Sequence, residues 1–248
     1  MIQVTEVSKV FQQKIALDNV SLDIPAGRVF GLIGPNGAGK TTLIRLLNQI
    51  LIPSKGHITY QGTPLNAAHV RSFGYLPEER GLYREMKVLE HLMFLGQLRG
   101  LSKKDAKMAA LEWLEKFDAH SWSNRKISAL SKGMAQKIQF IGSVLHNPEV
   151  IILDEPLSGF DPINVEMLLD SIKGFKAEGK SVIFSTLLIK LLLLKLPFFP
   201  FFLHFNTYIL LRILFFAINF YRFKTNFISY FFPHITIGYI TISLLYRF

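Results

Sequence analysis

Residues 34 to 41 read Gly34-Pro35-Asn36-Gly37-Ala38-Gly39-Lys40-Thr41, a G-x-x-x-x-G-K-[ST] pattern. It is preceded by Val29-Phe30-Gly31-Leu32-Ile33, an apolar run that reads as a short buried strand, and followed by Thr41–Ile50, whose apolar residues fall at helical spacing. Glycines let a backbone curl until successive N–H groups face one point, and a helix beginning there adds its positive end. A triphosphate fits such a cradle. Lys40 would reach the terminal phosphates, Thr41 would offer its hydroxyl to Mg²⁺, which favours octahedral oxygen coordination, and Thr42 would add a phosphate hydrogen bond.

The rest of the first 186 residues reads as an α/β domain. Strands are expected at Val4–Val7, Ala16–Ile24, Gly56–Tyr60 and Ser72–Leu76. Val88–Arg99, Ser102–Phe117 and Ser131–Leu145 read as helices, so a helical insert is expected over about 85–147. Val150–Leu153 and Ser181–Ser185 flank the amphipathic stretch Pro162–Lys176, the pattern of two parallel strands joined by a crossover helix.

Val150-Ile151-Ile152-Leu153-Asp154-Glu155 places two adjacent acids at the end of an apolar strand, where a buried carboxylate needs a partner. Asp154 is the candidate to hold Mg²⁺ through water, and Glu155 the candidate general base for an attacking water. Taken alone, the pair also fits two solvated acids in a loop.

Leu130-Ser131-Lys132-Gly133-Met134, just ahead of the acidic strand, resembles the signature motif of ABC ATPases, and Ser158-Gly159-Phe160-Asp161 resembles their D-loop. With the glycine-rich loop and the acidic strand in the same order, residues 1–186 are identified as similar to an ABC nucleotide-binding domain. The resemblance implies a P-loop NTPase fold of ABC type, with an antiparallel β subdomain and a helical subdomain. It implies ATP and Mg²⁺ as cofactors, and Phe11 as the aromatic that stacks on adenine. It also implies a head-to-tail dimer, homomeric or heteromeric, in which Ser131 and Gly133 face the γ-phosphate held by the other subunit. Such domains work with a membrane permease, so the expected place is the cytoplasmic face of the membrane, peripherally bound, and the expected activity is ATP hydrolysis coupled to transport.

Several positions depart from the family pattern. Glu78 stands where most members have a glutamine that meets the metal, in Gly74-Tyr75-Leu76-Pro77-Glu78-Glu79-Arg80-Gly81-Leu82-Tyr83, a segment similar to that of an exporter subgroup. Lys132 replaces the first signature glycine and Met134 the usual glutamine. Leu187 follows Ser185-Thr186 where the family has a histidine that contacts the γ-phosphate; leucine has no hydrogen-bonding group, and losing such a contact lowers turnover by about 10²–10³-fold. ATP binding with impaired hydrolysis is therefore the alternative expectation.

The sequence changes character at the same place. No Asp or Glu follows Glu178, and six of the 28 Lys and Arg lie beyond residue 186, leaving 22 against 18 acids before it. The net charge of +10 thus belongs largely to the tail, which argues against the clustered basic surface of a nucleic-acid binder. Leu187–Phe248 is rich in Leu, Phe, Ile and Tyr, without a sustained period of 2 or 3.6, and is expected to add no strand to the sheet. Its composition reads best as a frame change in the gene. Membrane association is the competing reading, with 227–246 the fairest candidate span. The start of the chain lacks the basic and apolar regions of a secretory leader, and the absence of cysteine rules out disulfides and thiol chemistry.

Overall fold

A computed structural model describes residues 2–79, 81–157, 162–186, 234–237 and 240–244. The chain begins with two long strands, β1 (Ile2–Phe11) and β2 (Lys14–Ile24), joined by a tight turn in which Gln12 adopts φ 51°. β1 is longer than its apolar alternation suggests, because the pairing shifts register between Val4 and Val7, where Glu6 lies at φ 49°. A bulge of this kind inserts one residue and flips the following side chains to the other face. It brings Ile2, Val4 and Val7 together into one buried cluster.

Next come β3 (Val29–Ile33) and α1 (Lys40–Leu47), then β4 (Lys55–Tyr60) and β5 (Thr63–Pro64). An antiparallel sheet in the order β2-β1-β4-β5 results. Its inner residues Leu17, Leu22, Ile24 and Ile58 share a core with Leu43, Ile44, Leu46 and Leu47 of α1. Fully burying each such side chain contributes about 1.5–3 kcal/mol, enough to hold a two-turn helix that would not persist in water by itself.

A short helix, α2 (Ala67–Arg71), capped by the Asn66 side chain, leads into β6 (Phe73–Leu76). Helices α3 (Val88–Leu98), α4 (Lys103–Lys116) and α5 (Lys132–Val144) follow and pack around Leu92, Ala110, Leu114, Phe140 and Ile141. α3 and α4 approach closely at Gly96, where a Cβ would stand 3.0 Å from that of Ala106. Then β7 (Val150–Leu153), α6 (Pro162–Ala177) and β8 (Ser181–Thr186) supply the crossover unit.

The second sheet runs β6-β7-β8-β3, all parallel, and β3 and β7 are buried along their whole length. Strands covered on both faces need continuous apolar runs, which is why these contain only Val, Ile, Leu, Phe and one glycine, Gly31. Beyond β3 the sheet continues with two strands from the tail, β10 (Ile240–Leu244), parallel to β3, and β9 (His234–Ile237), antiparallel to β10. The expectation that the tail adds no strand is thereby corrected. His234-Ile235-Thr236-Ile237 and Ile240-Thr241-Ile242 are short β-branched runs on either side of Gly238-Tyr239, a hairpin-length signal lost in the composition around it. Among the described residues no helix is long and apolar enough to cross a membrane, and residues 234–237 and 240–244 of the candidate span lie in these strands.

Candidate functional site

The site forms where β3, β7 and β8 end side by side, with Ile33 opposite Thr186 and Leu153 opposite Phe184. From Ile33 the chain turns through a loop closed by the Ala38 N–H donating to the Pro35 carbonyl at 3.2 Å, with Pro35, Asn36 and Gly37 exposed at the tip. Gly37 (φ 79°) and Gly39 (φ 92°) hold left-handed conformations. At Gly39 a Cβ would also stand 2.6 Å from Leu17 Cδ2 and 2.7 Å from the Ala16 carbonyl, so only glycine fits between β2 and the helix start. Gly39 is the N-cap of α1 and offers no side-chain cap, which leaves the first-turn amides to an anion at the positive helix end. Thr42, half-buried, sits in that turn.

Lys40 opens α1 and is 6% exposed. Its Nζ donates to the carbonyls of Gly34 at 2.9 Å and Pro35 at 3.1 Å, and lies 3.8 Å from Glu155 Oε1. An ammonium shielded this far from water needs compensating oxygens, and the loop itself provides them.

The two acids follow β7. Asp154 donates its N–H to the Leu76 carbonyl at 2.9 Å, which extends the β6–β7 pairing, and its side chain is sealed inside. Oδ1 accepts from Thr41 Oγ1 at 3.3 Å and from Ser185 Oγ at 2.6 Å, whereas Oδ2 is buried with no partner. Glu155 adopts φ 48°, a conformation that costs a residue with a side chain about 1–3 kcal/mol, and its N–H donates to Ser185 Oγ at 2.8 Å. Behind them, burial and then the negative charge of Asp154 push the Tyr75 phenol up to about 12.

This donor set suits Mg²⁺. Asp154 Oδ2 is an orphaned buried oxygen, the Thr41 hydroxyl stands beside the same carboxylate, and both are the hard oxygens that this ion selects. Among the described residues there is no cluster of three or more His, Cys, Asp or Glu, so an ion held here would take most of its coordination from phosphate and water.

A family model described as ABC transporter matches residues 17–158. The chain belongs to the ABC transporter family. It is 46% identical over 186 residues to the uncharacterized ABC transporter ATP-binding protein YhaQ of Bacillus subtilis strain 168, a match covering 75% of this chain and 62% of that protein. It is 45% identical to the uncharacterized ABC transporter ATP-binding protein MJ1023 of Methanocaldococcus jannaschii, covering 75% and 67%. The chain thus spans less than two thirds of the length of the Bacillus relative. Among solved structures, the dimeric post-hydrolysis ATP-binding cassette MJ0796 bound to ADP and Pi superposes with a TM-score of 0.69 at 23% identity, over 75% of this chain and 88% of that one, a likeness of fold.

Of the residues singled out in the sequence, Lys40, Thr41, Asp154 and Glu155 come together with the loop carbonyls of Gly34 and Pro35. Phe11 lies apart at the end of β1, 42% exposed, with the Lys9 ammonium 5.2 Å from its ring; Lys9 pairs with Leu17, which packs against Gly39. Ser131 caps α5, its Oγ accepting from the Met134 N–H at 3.3 Å, and Gly133 sits in the same first turn; both are engaged with their own helix. Glu78 is exposed just past β6, on a segment held by Gln139, whose Nε2 donates to the carbonyls of Pro77 and Glu79 at 3.3 and 3.1 Å. Leu187 and the D-loop residues Ser158, Gly159, Phe160 and Asp161 lie outside the described residues. Ser185 went unnoticed in the sequence, because a serine near the end of an apolar run carries no mark of the two bonds it makes.

Proposed function

We propose that this chain is the ATP-binding and ATP-hydrolysing subunit of an ABC transporter and works through a separate membrane permease, in the direction of export. The observation that carries the reading is the convergence of Lys40, Thr41, Asp154 and Glu155 at one end of a parallel sheet, around a carboxylate oxygen that has no protein partner.

The chemistry follows from the residues. The amides of the loop and of the first turn of α1 bind phosphate oxygens, and Lys40 turns from the Gly34 and Pro35 carbonyls toward the terminal phosphates. Thr41 and, through water, Asp154 would hold Mg²⁺, which would neutralise the phosphate charge. Glu78 offers a further carboxylate oxygen toward it. Glu155 orients and polarises the attacking water. Phe11 stacks on adenine. Ser131 and Gly133 complete the site from a second nucleotide-binding domain, identical or paralogous, as the dimeric form of the MJ0796 cassette supports. Work of this kind places the chain at the cytoplasmic face of the membrane.

A second reading rests on Leu187: the chain binds MgATP and turns it over little. The composition beyond Thr186 supports a frame change in the gene as its origin, with a membrane-associated segment as the competing account; reading the nucleotide sequence in all three frames from the codon for Ser181 separates them. Function is tested on the full chain by titrating MgATP calorimetrically and by following phosphate release with and without Leu187→His. Saturable binding with a turnover of at least 1 per minute supports the active reading. Binding without turnover, restored about 10²-fold or more by Leu187→His, supports the second. Absence of binding overturns both.

A further inference from the structure

We infer that Ser185 is a positioning residue for both acids of the site, setting which oxygen Asp154 presents to a divalent cation and holding the strained backbone of Glu155. The inference rests on the MgATP-binding reading above and assigns a role to a residue that it leaves idle.

The hydroxyl is fully buried at the end of β8 and makes two bonds. An amide N–H can only donate, so toward Glu155 the Ser185 oxygen must accept. Its single proton is therefore committed to Asp154 Oδ1 at 2.6 Å, a short charge-assisted contact. Thr41 donates to the same oxygen. Oδ1 is thus satisfied twice over, and Oδ2 is left bare although buried. Rotating the carboxylate to share its oxygens would break the 2.6 Å bond and leave the serine proton without an acceptor. Ser185 in this way keeps Oδ2 directed away from protein donors and available, directly or through water, to an ion that binds hard oxygens.

The second bond acts on the neighbour. Glu155 sits at φ 48°, which persists in a residue with a side chain only where the surroundings fix it, and Ser185 Oγ receives its amide at 2.8 Å. One hydroxyl therefore ties the metal-facing acid to the acid that faces Lys40, so the two cannot move independently.

The test compares wild type, Ser185→Ala and Ser185→Thr in the full chain. ATP is titrated in EDTA to read metal-free binding, and Mn²⁺ is titrated by electron paramagnetic resonance against the chain saturated with a non-hydrolysable ATP analogue. Ser185→Ala is expected to weaken Mn²⁺ binding roughly tenfold while metal-free ATP affinity stays within about threefold, and Ser185→Thr to recover most of the loss. Unchanged Mn²⁺ affinity in Ser185→Ala overturns the assignment. So does a parallel fall in metal-free affinity, which marks a merely structural serine. If Ser185→Ala does not fold, Ser185→Cys, of similar volume but with a weak donor, takes its place with the same expectation. Failure of the wild type to bind ATP in either medium strikes the functional reading instead.

Discussion

The Lys40 ammonium lies 3.8 Å from Glu155 Oε1, with both side chains more than nine-tenths buried. On the proposed function, the cation that would bind phosphate rests beforehand against the acid that would activate water. Phosphate must compete with Glu155 for Lys40 and also approach a negative charge. Glu155→Gln is therefore expected to tighten ATP binding about fivefold, on the order of 1 kcal/mol, and to cut turnover at least 10²-fold. Calorimetry and phosphate release read the two effects separately.

Lys40→Ala removes the ammonium from the loop. ATP affinity should fall about 10–100-fold, the range of a lost hydrogen bond to a charged group, while AMP, which lacks the terminal phosphates, binds as before. Competition against a fluorescent ATP analogue measures both.

Gly39→Ala combines a left-handed backbone with a Cβ placed 2.6 Å from Leu17 Cδ2 and 2.7 Å from the Ala16 carbonyl. The backbone atom cannot yield cheaply, so stability should drop by about 2–4 kcal/mol, seen as a lower urea midpoint with an unchanged slope.

Phe11 is exposed and cation-flanked at the end of β1. Phe11→Ala should weaken ATP roughly 5–10-fold through lost stacking and leave inorganic triphosphate unaffected. Equal loss for both ligands would refute a base-stacking role.

His91 is fully buried with neither ring nitrogen bonded, and burial lowers its pKa from 6.5 to about 4. His146 donates Nε2–H to the Phe73 carbonyl at 3.2 Å, and burial, reinforced by the Arg99 charge, likewise lowers it to about 4. The unfolded chain takes up both protons below pH 6.5 while the folded chain resists. Stability is therefore complete above pH 6.5 and falls toward pH 4 by about 1.4 kcal/mol per pH unit for each histidine. Urea unfolding at stepped pH should show this slope, and His91→Leu should remove about half of it.

The loop between β3 and α1 was readable because its chemistry and its spacing lie within a dozen consecutive residues. Asp154 and Glu155 were readable for the same reason, as acids ending an apolar run. Ser185 was not, since its meaning comes from β8 lying beside β7, a pairing that brings together residues thirty positions apart. The bulge at Glu6 hid the true length of β1 by interrupting its alternation. β9 and β10 were missed because three β-branched positions in each cannot outweigh about sixty residues of biased composition. Short local elements such as β5 and α2 were missed too, the latter held by its Asn66 cap rather than by a periodic face.

β3 carries the phosphate loop, and its two ladder partners are made at very different times. β8 follows it within the first 186 residues, whereas β10 lies near the far end of the sequence. On the ribosome, the strand that leads into the nucleotide site therefore waits with one edge unpaired until residues 240–244 emerge. Contacts so distant in sequence form slowly, and an open edge is where a nascent chain finds the wrong neighbour. The yield of folded protein should consequently depend on translation speed and on chaperones that shield the edge during the wait.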